Sequence, residues 1–168
     1  MKKYVYKCLL TVITLLSIST YASTLYEEAN QRGINETCSS YLSQLEESYN
    51  LNGLNITFAH PENPALYPSL HISSKKYNNG SSSFSATLIP DDEYCYVSTV
   101  IVTAINNQTC SEIVVVKTEA DKNLQSSIYD DGGYTILTPS NNDYQIILTS
   151  VGDKSCTMTE TRMVWPGK

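Results

Sequence analysis

The sequence predicts an α+β fold in which an N-terminal helix packs on a mainly antiparallel β-sheet built of hairpins, held by two disulfides. Three observations carry that expectation. Apolar residues recur at helical spacing once, from Ile34 to Tyr49. Short segments rich in Val, Ile, Thr and Tyr, parted by turn-forming clusters, fill the rest. Four of the five cysteines remain once an N-terminal leader is set aside. A β-sandwich with the helix appended is the alternative that this pattern allows.

The leader comes first. Lys2, Lys3 and Lys7 precede an apolar run from Cys8 to Ile18, and Ser19-Thr20-Tyr21-Ala22 supplies small residues around a cleavage site before Ser23. Residues 1–22 therefore read as a secretory signal peptide, since the run is well short of the roughly 20 residues a membrane-spanning helix needs. Residues 23–168 read as a single domain. Cleavage removes three of the 11 basic residues and none of the 17 acidic ones, leaving eight against 17 and a net charge of −9. Such a surface excludes nucleic acid as the main partner and would steer a basic one. No later stretch could span a bilayer, so no membrane insertion is expected after cleavage. The short Lys-rich start and the Asn/Lys/Tyr/Ile-rich usage suggest a bacterial product, periplasmic or secreted.

The helix follows. Asn35 can cap it, and Ile34, Cys38, Leu42, Leu45 and Tyr49 share one face. A preceding turn or short helix over Thr24–Gln31 would end at Gly33. Strands are then expected at Leu54–Ala59, Leu70–Ser74 (an edge), Phe84–Ile89, Tyr94–Ile105, Cys110–Thr118, Leu124–Tyr129, Tyr134–Thr138, Tyr144–Ser150 and Ser155–Trp165. Tyr77–Ser83 reads as a loop by composition, and Asp130-Asp131-Gly132-Gly133 as a hairpin turn. No repeat period is evident.

Cys38, Cys95, Cys110 and Cys156 pair most simply as two disulfides. Their spacings of 57, 15 and 46 lack the close ligand pairs of a zinc site. If Asn107-Gln108 centred a hairpin, Cys95 and Cys110 would stand about ten strand residues apart, beyond the reach of a disulfide. Cys38–Cys95 with Cys110–Cys156, or Cys38–Cys110 with Cys95–Cys156, remain open.

The chemistry is sparse. His60 lies in a connection and His71 at a strand start, with no nucleophile motif beside either. The pairs Asp91-Asp92 and Asp130-Asp131 fall in turns, where Asp is common for conformational reasons. No cofactor, metal or catalytic set is expected. Tyrosines among Ser and Asn can build adaptable contact surfaces, so Tyr77, Tyr129, Tyr134 and Tyr144 are candidate anchors. Asp91, Asp92, Asp130 and Asp131 are candidate steering charges. The leading expectation is an exported, non-catalytic protein that binds another protein, a periplasmic inhibitor or immunity protein neutralising a basic secreted enzyme. The alternative is a secreted virulence or adhesion subunit that recognises a host surface or glycan.

Overall fold

The computed structural model describes residues 23–164; the expected signal peptide, residues 1–22, and Trp165 lie outside them. The elements are α1 (Leu25–Gln31), α2 (Glu36–Tyr49), β1 (Leu54–Phe58), β2 (Ser69–Tyr77), β3 (Gly80–Asp91), β4 (Tyr94–Asn106), α3 (Cys110–Ala120), β5 (Leu124–Tyr129), β6 (Tyr134–Pro139), β7 (Tyr144–Ser150) and β8 (Ser155–Val164). All eight strands form one antiparallel sheet in the order β1-β2-β3-β4-β8-β7-β6-β5. The fold is α+β, and the sandwich alternative falls because a single sheet is present.

Among the described residues, helices lie on one face of that sheet only. Directly opposed residues in antiparallel strands share a face. One such row runs Thr57, His71, Ala86, Thr99, Arg162, Tyr144 across β1, β2, β3, β4, β8 and β7. Cys95 and Cys156 stand an even number of residues from members of this row, hence on the same side. Cys38 of α2 bonds to Cys95, and Cys110 of α3 bonds to Cys156. Of the two pairings left open by spacing, this is the first.

Two cores fill that side. Leu25, Ala29, Ile34, Cys38 and Leu42 of the first helical layer meet Phe84, Ala86, Leu88, Cys95 and Val97. Cys110 and Ile113 of α3 meet Leu124, Leu137, Ile146, Leu148 and Cys156. Each fully buried Leu contributes roughly 1.5–3 kcal/mol. Local signals match. Thr24 and Glu27 form a reciprocal capping box on α1, Gly33 takes φ +74° between the helices, and the Asn35 side chain caps α2. Asn50, left-handed at φ 51°, ends α2.

Three expectations need correction. The β-branched run Cys110–Thr118 is not a strand but most of α3. Thr109 and Glu112 form a second capping box, and Ile113 and Val114 turn inward while Val115 and Val116 stay exposed. The hairpin premise used against Cys95–Cys110 therefore fails, although that pair is indeed unbonded. Leu70–Ser74 is not an edge: it lies inside β2, paired on both sides, and β1 is the edge. Tyr77–Ser83 is not an irregular loop either. Tyr77 pairs with Gly80 around Asn78-Asn79, and the serines continue β3. Gly80 permits the close approach of β4 there, since a Cβ would stand 1.9 Å from the Ala104 carbonyl oxygen.

The two halves of the chain repeat one plan: a capped helix, then four strands in a meander. In each, a cysteine in the first helical turn bonds to the second residue of the fourth strand. The halves join through β4 and β8. Val100, five residues after Cys95, pairs with Thr161, five after Cys156. A pseudo-two-fold axis thus passes through that pair, and α2 and α3 stand as equivalents.

Candidate binding face

The opposite face of the sheet carries no helix among the described residues. Alternation assigns to it Leu54, Ile56 and Phe58 of β1, Leu70 and Ile72 of β2, and a ladder of Ser81, Ser83, Ser85 and Thr87 on β3. Tyr94, Tyr96, Ser98 and Val100 follow on β4, then Thr157, Thr159 and Thr161 on β8. None of these side chains is fully buried, and Leu54 and Phe58 are more than half exposed. Eight strands about 4.8 Å apart and about 27 Å long make a face of roughly 900 Å². One partner of a standard protein interface buries about 800 Å².

Charge is almost absent from this face. The eight strands hold only Lys75, Lys76, Asp91, Glu160 and Arg162, and of these only Lys76 and Asp91 point to the uncovered side. The remaining acidic groups are displaced to helices and turns. Asp92, Glu93 and Asp143 stand at one end of the strands, and Asp130, Asp131 and Asp153 at the other. The result is a neutral field of hydroxyl and aliphatic groups between one acidic end and one where Lys75, Lys76 and Lys154 stand among the aspartates.

The residues singled out from sequence are not one cluster. Asp91 and Asp92 lie at the β3–β4 hairpin, and Tyr144 stands at that same end on the helix-covered side, over the Arg162 guanidinium at 5.1 Å. Burial, reinforced by Asp121 and Glu160, pushes the Tyr144 hydroxyl above its usual range, with Arg162 opposing. Tyr77, Tyr129, Asp130, Asp131 and Tyr134 lie at the other end. Tyr129 pairs across strands with Tyr134, both about half exposed. Tyr77 is on the helix-covered side, its ring 5.5 Å from the Lys75 ammonium. Asp130 and Asp131 open a 3-10 turn at φ 51° and 48°, so these aspartates take left-handed positions while Gly133 is right-handed at φ −63°.

Sequence reasoning missed the face itself. Its signal was present as a period of two in Ser81-x-Ser83-x-Ser85-x-Thr87 and Thr157-x-Thr159-x-Thr161. On the covered side, a cavity of about 210 Å³ between the C-terminal end of α2 and the β4–β8 floor is lined by Tyr49, Phe84, Ile101, Met158 and Glu160.

Both histidines have partners within the fold. His71 is fully buried, with Nε2 2.8 Å from Ser69 Oγ and Nδ1 3.1 Å from Thr57 Oγ1. Both hydroxyls are buried too, so the Ser–His contact has no access for a substrate. Burial pulls the imidazole down to about 4, leaving it neutral at pH 7. His60 Nδ1 accepts from the backbone N–H groups of Glu62 and Asn63, and its ring stacks on Tyr67 at 4.4 Å. Among the described residues no group of three His, Cys, Asp or Glu side chains could hold a metal ion, and no helix is long and apolar enough to cross a membrane.

Fold and surface together define a class: a disulfide-stapled tandem of two helix-plus-meander units with one sheet face uncovered. No known protein family matches the chain, and neither a curated protein nor a solved structure does.

Proposed function

We propose that this is an exported binding protein that acts through the uncovered sheet face on a basic partner protein, as a periplasmic or secreted inhibitor or immunity protein of a secreted enzyme such as a cell-wall hydrolase or toxin. One observation carries the reading: in a chain with 17 acidic residues, the broadest face is nearly free of charge and flanked by acidic turns. Interface centres are depleted of charge and their rims are polar. Rim charges of one sign accelerate encounter with a partner of the other. Two disulfides suit an oxidising compartment, and the activity needs no catalytic group of its own.

The test compares capture on immobilised wild type with capture on Thr159→Lys, which plants a charge mid-face. A basic protein retained by wild type, weakened by salt and lost on the variant supports the reading. An acidic partner, or equal capture by the variant, overturns it. The paired exposed rings of Tyr129 and Tyr134 favour a second reading, recognition of a glycan by stacking. Binding to a glycan array that Tyr134→Ala abolishes and Thr159→Lys leaves intact would select it.

A further inference from the structure

We propose that hydrolysis of the Ala22–Ser23 peptide bond creates an α-ammonium at Ser23 that docks into a prepared acidic nest, so that processing locks the first helix to the sheet. The inference rests on the exported reading. Water adds across the amide under a signal-peptide-cleaving peptidase: Ala22 leaves with the new carboxylate, and Ser23 keeps the nitrogen as the ammonium.

The nest is made by three elements. From α1, Glu28 Oε1 accepts from Ser23 Oγ at 2.9 Å, and Glu27 Oε2 accepts from the Thr24 N–H at 3.0 Å. From α2, the Glu46 carboxylate accepts from the N–H groups of Leu25 and Tyr26. From β1, Asn55 reaches up from the sheet. It is 9% exposed, and its Nδ2 donates to the Ser23 carbonyl at 2.7 Å. Its Oδ1 is buried with no donor.

Such an orphan acceptor is costly unless something donates to it. The Ser23 nitrogen is two bonds from the carbonyl carbon that Asn55 already holds, and its side chain already touches Glu28. Three carboxylates converge here, yet the one ion pair among the described residues is Arg162–Glu160, on β8. Burial pushes the Glu46 carboxyl up against the lowering effect of the Leu25 and Tyr26 N–H bonds, and the neighbouring Glu27 charge adds to the rise. On its helix-covered side β2 carries His71, neutral at pH 7, and Lys75, two residues beyond the Ser73 that pairs with Asn55, its ammonium turned to the Tyr77 ring at 5.5 Å. An ammonium at Ser23 supplies both the missing donor and the missing charge.

The test uses three folded forms of the oxidised protein: the chain beginning at Ser23, the same chain acetylated at that nitrogen, and a chain retaining Ala22. The first should melt about 2–4 °C above the other two at pH 7. Its α-amino group should titrate above the usual range of about 7.7–8.0. The gap should close once the pH exceeds that titration. Equal melting temperatures, or an ordinary amino titration, would overturn the docking. Mass spectrometry of the exported protein tests the cleavage separately: a first residue other than Ser23 overturns the processing step. A cytoplasmic, uncleaved protein would instead sink the exported reading on which the inference rests.

Discussion

At the scale of the residue, His71 is the most consequential buried group. Its imidazole is held between two buried hydroxyls, and burial lowers its pKa from 6.5 to about 4. An unfolded chain therefore binds a proton there between pH 6.5 and 4 that the folded chain refuses. Stability from this group is complete above pH 6.5, falls as the pH drops to about 4, and is flat below; the loss is on the order of 3 kcal/mol. Glu46 works in the opposite sense, since its raised carboxyl takes up a proton more readily when folded. Glu112, lowered by its bonds to Thr109, loses its contribution only in stronger acid. Thermal unfolding from pH 7.5 to 4 should show the steepest loss between 6.5 and 4, and His71→Gln should remove that segment while lowering stability at pH 7.5. A variant that keeps the wild-type slope would assign the acid sensitivity elsewhere. The sequence placed His71 at a strand start with no nucleophile motif beside it. Ser69 shares its strand face by alternation, but Thr57 was not legible as a partner, because it meets His71 only through the register of β1 and β2.

At the scale of the element, α2 and α3 differ in how much holds them. α2 has 14 residues and buries Cys38, Ser39 and Leu42; α3 has 11 and buries only Cys110 and Ile113. The closed loops, 57 and 46 residues apart at their cysteines, are so alike that chain entropy makes the two disulfides nearly equal, at about 2–5 kcal/mol each. Any difference between the serine double variants thus reports what else secures each helix. Removing Cys110 and Cys156 together should release the α3 amides to fast hydrogen exchange, whereas removing Cys38 and Cys95 should leave α2 protected. Equal exchange in the two variants would refute this ranking. Thr109→Ala should cost about 1 kcal/mol of stability by denaturant titration, through loss of the capping box. The cap is also why α3 was misread: nine residues with Ile113 and three valines look like a strand by propensity. The Thr109-x-x-Glu112 signal before them was the better evidence, because it satisfies helix donors that composition ignores. Where turn chemistry and period agreed, as at β5 to β8, the strands fell within a residue or two of their expected places among the described residues.

At the scale of the whole molecule, the tandem plan was faintly written in the chain. Thr37-Cys38-Ser39 and Thr109-Cys110-Ser111 open the paired helices, and Asp92-x-x-Cys95 and Asp153-x-x-Cys156 open the paired last strands. Unequal spans between the cysteines hid the period. Because the axis passes through Val100 and Thr161, what lies at one end of the first half lies at the other end of the second. The acidic turns are consequently split between the two ends of the sheet. Asp91-Asp92 and Asp130-Asp131 are parted by a strand length of about 40 Å, taking 13 residues of β4 at about 3.3 Å each. The Debye length at physiological salt is about 8 Å, so the two turns act on an approaching basic partner independently. Asparagine tolerates the left-handed backbone of Asp92, Asp130 and Asp131, so neutralising them keeps the turns intact. Neutralising either pair to Asn should slow association by a factor of a few and reduce its salt dependence, with dissociation unchanged. Neutralising both should slow it by the product of the two factors. Stopped-flow association at two salt concentrations checks this. If one turn accounts for the whole effect, the partner approaches from one end, and the flat face between the rims is not its landing ground.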